Sequence, residues 1–153
     1  MDPNLAVDVC ALTDQLMPEA ARLLGLYTHP DDHDVGGLAE CLRALQGWLE
    51  SPSTHFWLAR VDGRCVGFVS LAWSMSTSTG QPVLRIEGLY TLPGYRRRGV
   101  ATELLSRAAE LARQHGANRL QLETDTDNVA ARRLYERLGF EGLPRKEVYM
   151  RFL

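Results

Sequence analysis

Three consecutive arginines stand where a helix is predicted to begin, in "GYRRRGVATELL" (94–105). The first turn of a helix has backbone N–H groups without partners and a partial positive charge, so cations there are unfavourable unless an anion binds. Gly99 and Ala101 would let a bulky ligand approach these N–H groups closely. The pattern is typical of a phosphate site, but arginines that only solvate a surface loop would explain these residues equally well.

The two best-known phosphate loops do not fit this stretch. No Gly-Lys-Ser/Thr follows the glycine, which excludes a Walker A loop, and the GxGxxG fingerprint of dinucleotide-binding folds is absent. If the stretch binds a phosphate, the phosphate therefore belongs to a ligand of another kind.

Hydrophobic spacing predicts the elements that position this loop. Helices are predicted over residues 13–27 (capped by Thr13), 38–50, 99–115 and 128–140 (capped by Asn128), and strands over 55–73 (a hairpin turned at Asp62-Gly63), 82–92, 118–124 and 146–153. A hairpin followed by a strand-helix-strand-helix-strand order indicates an α/β (α+β) fold, with a mixed sheet that carries helices on its faces.

Length and composition limit the class of protein. The chain of 153 residues predicts one domain over 1–153, and 45% apolar with 24% charged residues is typical of a soluble globular protein. A net charge of −2 argues against a nucleic-acid partner. The N-terminus lacks a basic start followed by an apolar run, and no apolar stretch approaches the ~20 residues needed to span a bilayer. We therefore expect a cytoplasmic protein with no membrane partner. Cys10, Cys41 and Cys65 lack zinc-site spacing and are interpreted as small buried residues.

Two segments resemble signatures of one superfamily. "YRRRGVATELL" resembles the R/Q-x-x-G-x-G/A motif of the GNAT superfamily of acetyl-CoA-dependent N-acetyltransferases, and "NVAARRLYERLGF" resembles its second signature, N-x-x-A-x-x-L-Y-x-x-x-G-F. The matching positions are Arg96, Gly99 and Ala101 in the first motif, and Asn128, Ala131, Leu134, Tyr135, Gly139 and Phe140 in the second. The resemblance implies a mostly antiparallel twisted sheet of about six or seven strands flanked by about four helices.

The resemblance also implies that the anion is the pyrophosphate of coenzyme A, with acetyl-CoA as the co-substrate. The pantetheine arm would run beside the strand before the loop, like an added strand. The implied coenzyme-binding residues are Leu89, Tyr90, Thr91, Arg96, Arg97, Arg98, Gly99, Val100, Ala101, Thr102, Asn128, Ala131 and Arg132. For Arg132 and its neighbour Arg133, a solvated helix face is the competing interpretation.

Two residues are candidates for acid–base chemistry. The resemblance places Tyr135 at the position of a general acid that protonates the departing sulfur; a tyrosine packed in the core is the alternative. Glu87, between apolar residues in "RIEGL", could be a base whose pKa is raised by burial. A salt bridge from Glu87 to Arg85, or a charge facing solvent, is equally compatible with the sequence. A backbone N–H near Leu89 is expected to meet the oxyanion.

The segment "THPDDHD" is the candidate acceptor region. His29 and His33 with Asp31, Asp32 or Asp34 could ligate a metal, but a solvated loop is the preferred interpretation, so no metal is predicted. The resemblance implies that this loop lines the acceptor site, where its aspartates, with Glu123 and Asp125, would attract a cationic amine; an acidic loop without a role is the alternative.

These inferences predict an enzyme that moves acetyl from acetyl-CoA to a primary amine of a small molecule. Aminoglycosides, protein N-termini and lysine side chains are further acceptors, and a homodimer is expected from the resemblance. A non-catalytic sensor or partner module that binds acyl-CoA on the same fold is the alternative function.

Overall fold

The computed structural model describes residues 5–30 and 37–153. The chain forms two compact units, an N-terminal unit (Met1–Leu122) and a C-terminal unit (Glu123–Leu153). The N-terminal unit contains β1 (Asp8–Ala11), α1 (Met17–Thr28), α2 (Leu38–Glu50), β2 (Thr54–Val61), β3 (Arg64–Met75), β4 (Pro82–Thr91), α3 (Val100–Gln114) and β5 (Arg119–Leu122), and the C-terminal unit contains α4 (Val129–Arg137). None of the helices in the described ranges is long and apolar enough to cross a bilayer.

The strands form one sheet in the order β1-β2-β3-β4-β5. The first four are antiparallel, and β5 runs parallel to β4 because α3 provides the crossover between them. The predicted hairpin is confirmed: Asp62 (φ 51°) and Gly63 (φ 76°) both adopt the left-handed conformation that a tight two-residue turn requires. The mixed, mostly antiparallel fold class is thus confirmed, with five strands in the described ranges where six or seven were expected.

Helices cover both faces of the sheet. A methyl group on Gly67 of β3 would lie 3.2 Å from Val100 Cγ1, so this side of the strand faces α3. The next residue, Phe68, faces the other layer: its ring stacks on Phe56 at 4.9 Å and meets Tyr27 of α1 edge-on at 5.4 Å. The apolar core lies in these two layers.

The start of the first helix differs from the prediction. Thr13 precedes a short 3-10 turn at Asp14–Leu16 and makes no capping hydrogen bond through its side chain. The α-helix begins at Met17, with Pro18 in its first turn. Proline lacks the N–H that a helix interior needs, so it is accommodated in the first turn, and this fixes the later start.

The predicted final strand is wrong. Residues 146–153 adopt no strand, and their large apolar side chains, among them Tyr149 and Phe152, are exposed. A strand forms only where a neighbouring strand satisfies its backbone, and the C-terminal unit offers no other strand. The caps predicted for α4 are confirmed: the Ala131 N–H donates to Asn128 Oδ1 at 3.2 Å, and Gly139 has φ 93° just past the helix end.

Candidate active site

The turn between β4 and α3 has an unusual backbone. A 3-10 turn at Pro93–Tyr95 is followed by two left-handed residues, Arg97 (φ 63°) and Gly99 (φ 91°), and α3 begins at Val100. A residue with a Cβ atom adopts this conformation at a cost of about 1–2 kcal/mol, so Arg97 is a strained position. Left-handed residues near a helix N-terminus help to build concave arrangements of N–H groups that bind anions. The backbone is therefore suited to the predicted phosphate contact.

The three arginines of this turn differ in their surroundings. Arg96 Nε donates to the Thr91 carbonyl at 2.9 Å, and its guanidinium lies 5.6 Å from the centre of the Tyr90 ring. Arg96 therefore ties the turn to the end of β4 through a hydrogen bond and a cation–π contact. This structural role was not predicted. Arg97 is exposed and Arg98 half-buried, and the coenzyme contacts expected of all three remain predictions.

The edge of β4 becomes free just before this turn. Pairing with β5 runs from Val83↔Arg119 to Ile86↔Leu122, and β4 continues for five more residues. Leu89, Tyr90 and Thr91 retain antiparallel partners on β3, but within residues 5–30 and 37–122 no strand pairs with their other edge. An unpaired strand edge is a template for an extended ligand that carries amide groups. The residues predicted for the pantetheine arm all lie on this edge.

Glu87 is the extra residue of a β-bulge. Ser70 pairs with Gly88 and Leu71 pairs with Ile86, so Glu87 has no partner on β3. Its side chain is 43% exposed and forms an ion pair with Arg85 Nε at 3.1 Å. Of the two interpretations of Glu87, the structure shows the salt bridge to Arg85 and not the buried carboxylate. The bulge and the paired Arg85, two residues earlier on the same strand, keep the carboxylate near solvent. Its role as a base remains a prediction.

In the C-terminal unit, the predicted site residues are held by local contacts. Arg132 Nη1 donates to the Thr126 carbonyl at 2.9 Å and ties α4 to the segment before it. The half-buried Tyr135 packs its ring against Phe140 at 5.9 Å, and the Phe140 N–H donates to the Tyr135 carbonyl at 2.9 Å. Together with the Asn128 cap, these contacts give the second signature a structural basis. The catalytic role of Tyr135 and the coenzyme contacts of Asn128, Ala131 and Arg132 are not tested by this geometry.

The segment predicted to attract the acceptor, "THPDDHD" (28–34), lies outside the described residues from position 31 onward, which includes its three aspartates. Within the described ranges, no group of three or more His, Cys, Asp or Glu side chains could hold a metal ion. Burial raises the pKa of the Cys65 thiol to about 12, and the pKa values of Cys10 and Cys41 are raised as well, mainly by burial. These thiols are protonated at neutral pH and are poor nucleophiles.

Two hydroxyl groups beside the bulge were not predicted. A methyl group on Gly88 would lie 2.9 Å from Ser70 Oγ and 3.5 Å from the Tyr27 hydroxyl oxygen. Ser70 is the one polar residue in the apolar run "CVGFVSLAW", and this was the sequence signal that could have identified it. No comparable signal marks Tyr27, because a tyrosine near a helix end is common.

Comparison with known proteins gives the family. The sequence model of the "Acetyltransferase (GNAT) family" matches residues 17–140 of this chain. The chain is 35% identical over 128 residues to the aminoglycoside N(6')-acetyltransferase type 1 of Serratia marcescens, covering 81% of this chain and 82% of that protein. It is 31% identical to the probable N-acetyltransferase camello of Xenopus tropicalis, over 87% of this chain, and spans 60% of the length of camello.

A solved structure shows the same fold. AAC(6')-Iy in complex with the bisubstrate analogue CoA-S-monomethyl-acetylneamine matches 96% of this chain and 99% of its own with a TM-score of 0.80, at 21% identity. This likeness confirms the fold class, and the family match and the Serratia relative confirm the resemblance read from the two signatures. The chain belongs to the acetyltransferase (GNAT) family and is an acetyl-CoA-dependent N-acetyltransferase.

Proposed function

We propose that this enzyme transfers the acetyl group of acetyl-CoA to a primary amine of a small molecule, by direct attack of the amine on the thioester. The observation that carries the proposal is the continuity of β4, the turn and α3. A free strand edge at Leu89–Thr91 leads into a turn with two left-handed residues, and the turn leads into the N-terminus of a 15-residue helix. Amide pairing along the edge and phosphate binding at the turn suit the two parts of coenzyme A.

The reaction assigns a role to each predicted group. The amine nitrogen forms a bond to the acetyl carbon while the carbon–sulfur bond breaks, and the coenzyme sulfur leaves as a thiolate. In the proposal, Tyr135 gives its proton to that sulfur, and Glu87, directly or through water, takes the proton that the amine loses. Because Glu87 is near solvent, water can carry this proton without a dedicated path.

The remaining binding roles belong to the turn between β4 and α3. Backbone N–H groups of Arg97 to Ala101 would contact the pyrophosphate, with Arg96, Arg97 and Arg98 adding charge. Val100 is 1% exposed, so its backbone rather than its side chain is available to a ligand. The single domain over 1–153, a cytoplasmic location and a homodimer stay predictions that accompany this proposal.

The names of the relatives support a small-molecule acceptor. The Serratia protein is named for aminoglycosides, and the AAC(6')-Iy complex contains an acetylneamine analogue. Aminoglycosides are amines with several cationic groups, which agrees with an acceptor region rich in aspartate. We therefore place aminoglycosides and simpler polyamines first among candidate acceptors, ahead of protein N-termini and lysine side chains.

The test is a mass-shift screen. The protein is incubated with acetyl-CoA and a panel that contains aminoglycosides, diamines, lysine and short peptides, and each mixture is searched for a product heavier by one acetyl group. We expect acetylation of at least one small amine, with equimolar release of free thiol. Tight binding of coenzyme without turnover of any amine, and no effect of Tyr135→Phe, would instead identify an acyl-CoA sensor.

A further inference from the structure

The ring of Tyr90 is in contact with both the turn before α3 and the end of α1. The Arg96 guanidinium lies 5.6 Å from the centre of this ring, within the range of a cation–π contact. The ring of Tyr27, in the last turn of α1, meets the Tyr90 ring edge-on, with the ring centres 6.1 Å apart. Tyr90 therefore connects the first helix of the chain with the turn that is proposed to bind the diphosphate.

Tyr27 is itself held by packing on this face of the sheet. Its ring meets Phe68 of β3 edge-on at 5.4 Å, and Phe68 stacks on Phe56 of β2 at 4.9 Å. Its hydroxyl oxygen lies 3.5 Å from the position that a methyl group on Gly88 would take, so Tyr27 lies across β4 at Gly88 and Tyr90. Because Phe68 and Phe56 are both buried, the half-exposed ring of Tyr27 has a rigid support.

Arg96 has a carbonyl and a ring as its neighbours, and no carboxylate. Its Nε donates to the Thr91 carbonyl at 2.9 Å, and within residues 5–30 and 37–153 no ion pair neutralises the guanidinium. The cation therefore remains available to an anionic ligand such as a diphosphate. A planar guanidinium can place its face on a ring and direct its N–H groups to an anion at the same time. The contact with Tyr90 is thus compatible with phosphate binding.

Arg96 also precedes the strained residue of the turn. Arg97 has φ 63°, and a strained backbone persists only where the surrounding structure holds it in place. Arg96 is fixed at two points, its hydrogen bond to Thr91 and its contact with Tyr90. If the contact with Tyr90 is lost, Arg96 keeps only the hydrogen bond, and Arg97 can relax and turn its N–H away from the anion.

We infer that Tyr27 is a positioning residue of the coenzyme site. Its ring holds Tyr90 against the Arg96 guanidinium, and Arg96 keeps the turn in the conformation that binds the diphosphate. This inference rests on the proposed function, in which coenzyme A occupies the turn. Tyr27 acts through Tyr90 and Arg96 rather than by touching the coenzyme. Without its ring, the coenzyme must restore the turn as it binds, which lowers the affinity.

The test compares Tyr27→Leu, which removes the ring, with Tyr27→Phe, which keeps the ring and removes only the hydroxyl. In calorimetry with coenzyme A, well below the melting temperature of each variant, the Kd should rise about three- to fivefold in Tyr27→Leu, the effect of one half-buried cation–π contact. In Tyr27→Phe the Kd should stay close to that of the parent protein. With an amine from the screen, the acetyl-CoA KM of Tyr27→Leu should rise to a similar extent at unchanged kcat.

A double-mutant cycle separates positioning from a general loss of packing. In an Arg96→Gln background the guanidinium is absent, so adding Tyr27→Leu should change the coenzyme Kd by less than about 1.5-fold. In an Arg97→Gln background, where an equal charge is removed from an exposed neighbour, Tyr27→Leu should keep its full effect. An equal effect of Tyr27→Leu in both backgrounds would show that Tyr27 does not act through Arg96, and would overturn the inference.

The variant Gly99→Ala distinguishes a failure of this inference from a failure of the proposed function. If Gly99→Ala weakens coenzyme binding and Tyr27→Leu does not, the diphosphate site stands and the inference is wrong. If Gly99→Ala leaves the Kd unchanged, the coenzyme lies elsewhere and both proposals fail. Because calorimetry needs no turnover, these measurements decide the question even if the protein acetylates no amine of the panel.

Discussion

Replacing Gly99 by alanine tests the backbone on which the proposed coenzyme site depends. Gly99 has φ 91° at the N-cap of α3, a conformation that costs a residue with a Cβ about 1–2 kcal/mol. In the free variant, the turn can relax to an ordinary φ and rotate its N–H groups away from the anion. Binding must then restore the strained turn, so this conformational cost alone should raise the coenzyme Kd about 5- to 30-fold. Direct contact between the new methyl group and a phosphate would increase the loss.

Isothermal titration calorimetry with coenzyme A and thermal unfolding together measure this effect. Gly94→Ala is the matched control, because Gly94 lies in the same connection, has no positive φ and has open space where a methyl group would stand. It should bind coenzyme A as the parent protein does. A folded Gly99→Ala protein with a Kd within twofold of the parent would show that the left-handed turn does not hold the diphosphate.

Three further outcomes are expected. Tyr135→Phe should lower kcat about 100-fold or more at unchanged coenzyme Kd, as the loss of a general acid does, in steady-state assays. Gly67→Ala should lose about 1–3 kcal/mol in urea unfolding, because its methyl group would lie 2.6 Å from a backbone carbonyl oxygen of β4, whereas Gly47→Ala on an exposed face of α2 should gain about 0.5–1 kcal/mol. Burial, and to a lesser extent the nearby imidazole of His115, lower the pKa of His55 below its ordinary value of 6.5. The folded state therefore favours neutral His55, and the associated stability, present above pH 6.5, should be lost as the pH falls through the folded pKa; His55→Gln should remove this part of the pH dependence of thermal unfolding.

Much of the fold was predictable because its signals are local. The Asp62-Gly63 turn, the caps of α4 and the apolar stripe of α3 each depend on residues within a few positions of one another. The predictions failed where a residue nearby in sequence opposes the predicted element, or where the element needs a pairing partner from elsewhere in the chain. Pro18 moved the start of the first helix away from Thr13, and the apolar residues within 146–153 could not by themselves supply the neighbouring strand that pairing requires.

The site was predictable in part for the same reason. The glycine at the start of α3, with the close backbone approach that it allows, was identified from the sequence because it is a local signal, whereas its left-handed conformation was not predicted. The contact of Arg96 with Tyr90 and Thr91 was not predictable, because the strand end and the turn meet only in the folded chain. Burial and a salt bridge to Arg85 were equally compatible with the sequence around Glu87, because apolar neighbours in sequence do not reveal a bulge.

The bulge explains why these features occur together. A bulge bends its strand and increases the local twist, so a strand that pairs regularly before it can separate from its neighbour after it. In this protein the parallel pairing of β4 with β5 ends at Ile86, the residue before the bulge, and the free edge begins at Glu87. The same insertion leaves Glu87 near solvent and places Gly88 opposite Ser70. One extra residue in "RIEGL" thus leaves a free strand edge for the proposed coenzyme contact and gives the proposed base its access to water, which is why these two proposed roles fall on neighbouring residues of β4.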